Sequence, residues 1–193
     1  MAPRPGKDEQ RRRIVLSAFE VLANEGLQAF AMRRVAQQAG CTIGLINHWF
    51  SSKEDLIMAA WKEAGERETA RTAALLVSGE HDVLGVLEAS LPIDEARRQE
   101  ALVWVAFHAL AVSQPSVRTA TLRRYALARR VIGDLLAAGS PRSARDEQAA
   151  DAMLAAMEGI TIMAARDPVR WPARRQRLAL RTLLEPLLAA HRS

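Results

Sequence analysis

Residues 31–56 read AMRRVAQQAGCTIGLINHWFSSKEDL, and the polar side chains of this stretch are spaced for a chemical use. Thr42 stands where a helix N-cap belongs, and Asn47, His48 and Trp49 follow on the short helix that it opens. An exposed amide, imidazole and indole beside a hydroxyl suit hydrogen bonds to phosphate oxygens and base edges. Lys53 falls at the start of the next helix, where backbone N–H groups and the helix dipole favour an anion. Arg11, Arg12 and Arg13 form either a phosphate-binding arm or the solvated first turn of a helix. With Arg4 and Lys7 against Asp8 and Glu9, the N-terminal segment is basic, which adds salt-sensitive affinity for nucleic acid.

Catalytic patterns are missing. The histidines are His48, His81, His108 and His191, and none sits in a metal or nucleophile motif. No phosphate-binding glycine loop, Gly-x-Ser-x-Gly elbow or His-Glu-x-x-His occurs, so an enzyme is disfavoured and neither metal nor cofactor is expected. The single cysteine, Cys41, excludes an intramolecular disulfide and a cysteine zinc site. It reads as a small apolar residue beside a turn rather than as a redox sensor.

The elements that must position these residues are helices. The chain has 193 residues, 49% of them hydrophobic and 25% charged, a globular composition. Ala, Leu, Arg and Glu dominate and alternating β-branched runs are absent, which predicts an all-α chain of about nine helices. Its 27 basic residues, all but Lys7, Lys53 and Lys62 arginine, outweigh 22 acidic ones to give +5. That balance admits a nucleic-acid partner without requiring one. The apolar run Leu102–Val112 contains His108 and is too short for a membrane span, and the N-terminus lacks the apolar core of a signal peptide. A cytoplasmic protein with no membrane partner is expected.

The first helix is predicted from Asp8 to Glu25, stopped by Gly26. Short helices over Met32–Ala39 and Ile43–Trp49 flank the turn at Gly40, so that residues 31–50 form a helix-turn-helix. Val35, Ala36, Ala39, Ile46 and Phe50 fall on its core side, and Leu45, Asn47, His48 and Trp49 on its open side. Ser51 and Glu54 fit a capping box for a long helix reaching about Val77. Asp82, Asp94 and Ser143 are predicted to open later helices. The last helix begins near Trp171-Pro172, with a kink expected at Pro186.

From about Asp8 to Glu68 the chain resembles the DNA-binding domain of TetR-family transcriptional regulators. The resemblance rests on Ile14…Ala18-Phe19…Gly26, on Val35-Ala36…Ala39-Gly40, and on Gly44-Leu45-Ile46-Asn47-His48-Trp49-Phe50…Lys53-Glu54…Leu56. The aromatic before Phe50 is similar to the BetI-type branch, as is Leu91-Pro92-Ile93-Asp94…Val103-Trp104-Val105-Ala106-Phe107. The resemblance implies a DNA-binding domain over residues 8–68 and an effector-binding and dimerisation domain over 69–193. It implies phosphate contacts from Thr42, Trp49 and Lys53, a groove-facing surface of Gly44, Leu45, Asn47 and His48, and reach to bases or phosphates from Arg33. The sequence departs from the family pattern at Ala31, where a Ser or Thr cap is usual, at Trp49 for Tyr, and at Cys41 for Val.

In the second half Trp104, Phe107 and His108 share one helical face, which is either core or the wall of an effector pocket. Met153, Met157 and Glu158 on another helix are candidates for the same wall. The choline-like compounds to which BetI-type relatives answer are not carried over, because a quaternary ammonium would want an aromatic cage and aromatics make up only 5% of the chain. The last two helices, with Ala149, Ala152, Ala155 and Ala156 and with Leu180, Leu183, Leu184 and Leu187, read as a homodimer interface. The expected function is a ligand-responsive regulator, a repressor, binding double-stranded DNA at a roughly palindromic operator and released by a small effector. A sequence-independent DNA-binding protein and a helical enzyme are the rival readings.

Overall fold

The computed structural model describes residues 6–78 and 82–192; Arg4 and His81 lie outside them. Among the described residues there are nine helices and no strand. They are α1 Lys7–Ala29, α2 Met32–Ala39, α3 Ile43–Trp49, α4 Lys53–Val77, α5 Val83–Ala89, α6 Glu95–Ser113, α7 Pro115–Ala137, α8 Ala144–Arg166 and α9 Ala173–Arg192. No described helix is long and apolar enough to cross a membrane.

The helix starts are set by local side chains. Asp82 accepts from the Leu84 and Gly85 amides, Asp94 from the Arg97 amide, and Ser143 with Asp146 closes a reciprocal capping box. One predicted cap is corrected. Ser52, not Ser51, caps α4 by accepting from the Asp55 amide, and Asp55 in turn accepts from the amide and hydroxyl of Ser51. The Ser-Ser and Glu-Asp repeats allow two registers, and the structure takes the second. Gly26, at φ 77°, breaks the helical path of α1 near where its end was predicted, yet one more turn follows to Ala29. Helix α9 runs unbroken through Pro186.

Two cores hold these helices together. The first is built from α1–α4 around Ile14, Phe19, Leu22, Phe30, Ile46 and Leu56, and takes Val103 and Phe107 from α6. The second gathers Val86, Leu87, Ile132, Met153, Leu180 and Leu184 from α5, α7, α8 and α9. Helix α4 is shared. Its N-terminal half supplies Leu56, Ile57 and Trp61 to the first core, and Leu76 near its C-terminus packs on the second. The Trp61 ring stacks on Phe107 at 4.3 Å and meets the edge of Trp104 at 5.3 Å, joining α4 to α6.

Candidate functional site: a recognition helix and an interior cavity

Helix α3 is built to present side chains outward. Thr42 accepts from the Leu45 amide and starts the helix, and Ile46 and Phe50 bury one face. Gly40, at φ 60°, makes the left-handed turn that lets α2 end and α3 cross it. Asn47, His48, Thr42 and Gly44 are exposed, as is Arg33 on α2. Neither Asn47 nor Arg33 has a hydrogen-bond or ion-pair partner among the described residues, so both are available to a ligand. Arg34, the next residue, is already held by Glu25 at 2.6 Å.

Two residues of the expected DNA surface, Trp49 and Leu45, are only partly exposed. Trp49 is half-buried, and its indole Nε1 is enclosed with no acceptor. That N–H is turned inward, where the last turn of the short helix packs back on the first core. Leu45 likewise packs partly on that core. Lys53 begins α4 as expected, with its ammonium 5.9 Å from the Phe30 ring centroid. The helix N-terminus beneath it is partly satisfied from within, since Ser52 and Asp55 already engage local amides. Arg11 places its guanidinium 5.4 Å from the Phe50 ring, bringing the basic start of α1 beside the end of α3. Cys41 is half-buried. Burial pushes its thiol pKa up, against a smaller downward pull from Arg13, so it is not an activated nucleophile.

The second feature is a half-enclosed cavity of about 360 Å³ between α4, α6, α7 and α8. Of the residues predicted for it, Trp104, His108, Met157 and Glu158 line its wall. Phe107 and Met153 do not. Phe107 is fully buried against Trp61 in the first core, and Met153 is fully buried in the second. Each sits on the flank of its helix, one residue away from a cavity-lining neighbour, His108 or Leu154.

Sequence reading missed the paired charges of the wall. Arg71 of α4 makes a two-pronged pair with Glu100 of α6, at 2.9 and 2.5 Å, and Glu100 is only 4% exposed. Burial works to lower the Arg71 pKa, but the hydrogen bonds and charge of Glu100 outweigh it and the net shift is upward. Arg124 of α7 pairs with Glu68 of α4 at 2.5 Å, and its guanidinium lies 5.1 Å from the Trp104 centroid. Gly65 makes room for it, since a Cβ there would stand 3.1 Å from Arg124 Nη1. One signal was available. Glu100 lies one turn before Trp104, so the stripe Trp104–His108 extends back to it. Nothing local pointed to Arg71 or Arg124 as its companions.

Residues 80–189 match the family described as BetI-type transcriptional repressor, C-terminal, and residues 14–60 match bacterial regulatory proteins of the tetR family. The chain belongs to the TetR family. As a member it is a DNA-binding transcriptional regulator, and the enzyme reading falls away. The HTH-type transcriptional regulator PksA of Bacillus subtilis is 27% identical over 172 residues, 84% of this chain and 82% of that protein. The HTH-type transcriptional regulator BetI of Rhizobium meliloti is 28% identical over 120 residues, 60% of this chain and 59% of that relative. The crystal structure of a transcriptional regulator from Rhodococcus sp. superimposes with a TM-score of 0.85 at 27% identity, over 93% of this chain and 96% of that one. A transcriptional regulator from Saccharomonospora viridis, solved in complex with choline, superimposes with a TM-score of 0.77 at 22% identity, over 93% and 97% of the two chains. This last likeness is one of fold.

Proposed function

We propose that this TetR-family regulator is a two-fold homodimer that represses from a roughly palindromic operator and is released when a small molecule fills the cavity. The observation that carries this reading is the course of α4. It starts at Lys53 beside the recognition helix and supplies Glu68 and Arg71 to the cavity wall. A ligand that changes how Arg124 and Glu100 grip α4 therefore acts on the helix that abuts α3. If the effector favours the state with the weaker grip on DNA, linkage requires it to lower operator affinity by the same factor.

In this reading Asn47 and His48 read base edges with Gly44 and Leu45 beside them, Arg33 reaches a base or a phosphate, and Thr42 and Lys53 contact phosphates. Trp49 serves as packing beneath them. The DNA-binding part corresponds to residues 8–68 and the effector and dimerisation part to 69–193. An exposed small-residue stripe on α8 supports the dimer, with Ala152, Ala155 and Gly159 running into Ile162 and Met163. On α9, Leu183 and Leu187 are exposed as well, at 50% and 39%, whereas Leu180 and Leu184, expected beside them, are buried in the second core. Two such helix pairs would close a four-helix bundle and set two α3 helices about one DNA turn, ~34 Å, or a multiple apart.

Fluorescence anisotropy tests the function directly. DNA from upstream of the protein's own gene is compared with scrambled DNA at one physiological salt concentration. Binding confined to the upstream DNA, at two protomers per site, is the expected result. If selected random sites show no enriched motif and every duplex binds alike, the sequence-independent rival is the correct one.

A further inference from the structure

The chemical class of the effector can be read from what the cavity leaves unpaired, on the footing that the cavity is the effector site proposed above. Six ordinarily charged side chains line it: Glu68, Arg71, Arg97, Glu100, Arg124 and Glu158. Five already have partners. Arg71 holds Glu100, Arg124 holds Glu68, and Arg97 holds Asp94 at 2.9 Å. Glu158 has neither an ion pair nor a hydrogen bond among the described residues. The nearest carboxylate to the Tyr125 hydroxyl on α8, Asp151, is itself paired with Arg129 at 3.6 Å. The Tyr125 hydroxyl, 3.3 Å from Asp151, has a raised pKa, first through burial and then through the charges of Asp151 and Glu158.

An anionic ligand would find no unclaimed cation on this wall. A quaternary ammonium would need free aromatic faces, since it has no N–H to donate. Of the aromatic side chains on this wall the Trp104 ring is taken, which leaves the Tyr125 ring alone and short of a cage. Arg124 lies over the Trp104 ring, and Trp61 and His108 meet that ring edge-on at 5.3 and 5.6 Å. An ammonium with N–H donors is different, because it can form charge-assisted hydrogen bonds to Glu158. On α8 Leu154, Met157 and Ile162 share the face of Glu158, and Val105 and Leu122 add apolar surface from α6 and α7.

We infer that the effector is an amphipathic amine carrying at least one ammonium N–H, held with its nitrogen at Glu158 and its hydrocarbon along the α8 face. The test is isothermal titration of the full chain near neutral pH with n-octylammonium, its N,N,N-trimethyl counterpart, and octanoate. Octylammonium is expected to bind at least about tenfold more tightly than either of the others. Glu158→Gln is expected to remove about that advantage and to weaken the trimethyl compound by a smaller factor, because that compound loses the charge attraction without losing a hydrogen bond. Equal affinity for the two cations, preference for octanoate, no binding of octylammonium, or indifference to Glu158→Gln each overturns the inference. The wild-type series decides without the variant.

Anisotropy on the same preparation separates the two levels. Specific operator binding without ammonium selectivity sinks the ligand class alone. Ammonium selectivity without specific DNA binding sinks the regulator reading instead.

Discussion

The recognition helix and the cavity wall treat their polar groups in opposite ways. On α2 and α3, Arg33 and Asn47, the proposed DNA contacts, face solvent without protein partners among the described residues. In the cavity four of the six charges are spent on another helix: Arg71 on Glu100, Arg124 on Glu68. A DNA surface must stay solvated when empty, so unpaired polar groups cost it little. A charge in a half-enclosed cavity loses hydration and is tolerated when it has a partner. On the reading proposed above, the unpaired groups are the ligand contacts in both regions, and the paired ones hold the helices together.

The largest expected effect follows from that contrast. Arg71→Ala strands the Glu100 carboxylate in a buried position and is expected to cost about 3 kcal/mol of stability, read as a fall in the urea midpoint. A loss below about 0.5 kcal/mol would mean that the cavity pairs are no firmer than surface ones.

Asn47→Ala is expected to leave stability within about 0.5 kcal/mol, because the side chain is exposed and unpaired. It is expected to change preference at one base position by about 1–3 kcal/mol, seen in a binding-site selection. Unchanged specificity would count against direct readout by α3.

Lys53→Ala should weaken binding to all sequences alike and reduce the salt slope by about 1. Loss confined to one base pair would instead make Lys53 a base reader.

The smallest effect is at Ala31, which starts α2 with no side-chain cap. Ala31→Ser should add about 1 kcal/mol and raise Tm by roughly 2–4 °C. An unchanged Tm would show that the α2 start is already satisfied by its packing.

Much of the architecture was legible because it is written in local spacing. Asp82, Asp94 and Ser143 announce helix starts within a few residues, and Gly40 announces the turn between α2 and α3. Ile46 and Phe50 on one side of α3, with Asn47 and His48 on the other, follow from helical periodicity. Where the local code is degenerate, reading slipped by one residue. Ser51 and Ser52 are both good caps, and Glu54 and Asp55 both good partners, so only the packed start of α4 selects Ser52. The same one-residue ambiguity put Phe107 and Met153 in the cavity, when their neighbours His108 and Leu154 face it.

The cavity's charge scheme belongs to another level. Arg71 and Glu100 are 29 residues apart, and Glu68 and Arg124 are 56 apart. No period within a helix relates them. The residue types, the helix boundaries and the exposed α3 surface were settled along the chain, since caps, turns and amphipathic faces act over three or four residues. The pairing that leaves Glu158 alone, the shielding of the Trp104 face by Arg124 and the inward turn of the Trp49 indole were settled by packing. Each depends on which side chains distant helices bring within hydrogen-bonding or van der Waals reach, and that is fixed only when the cores close.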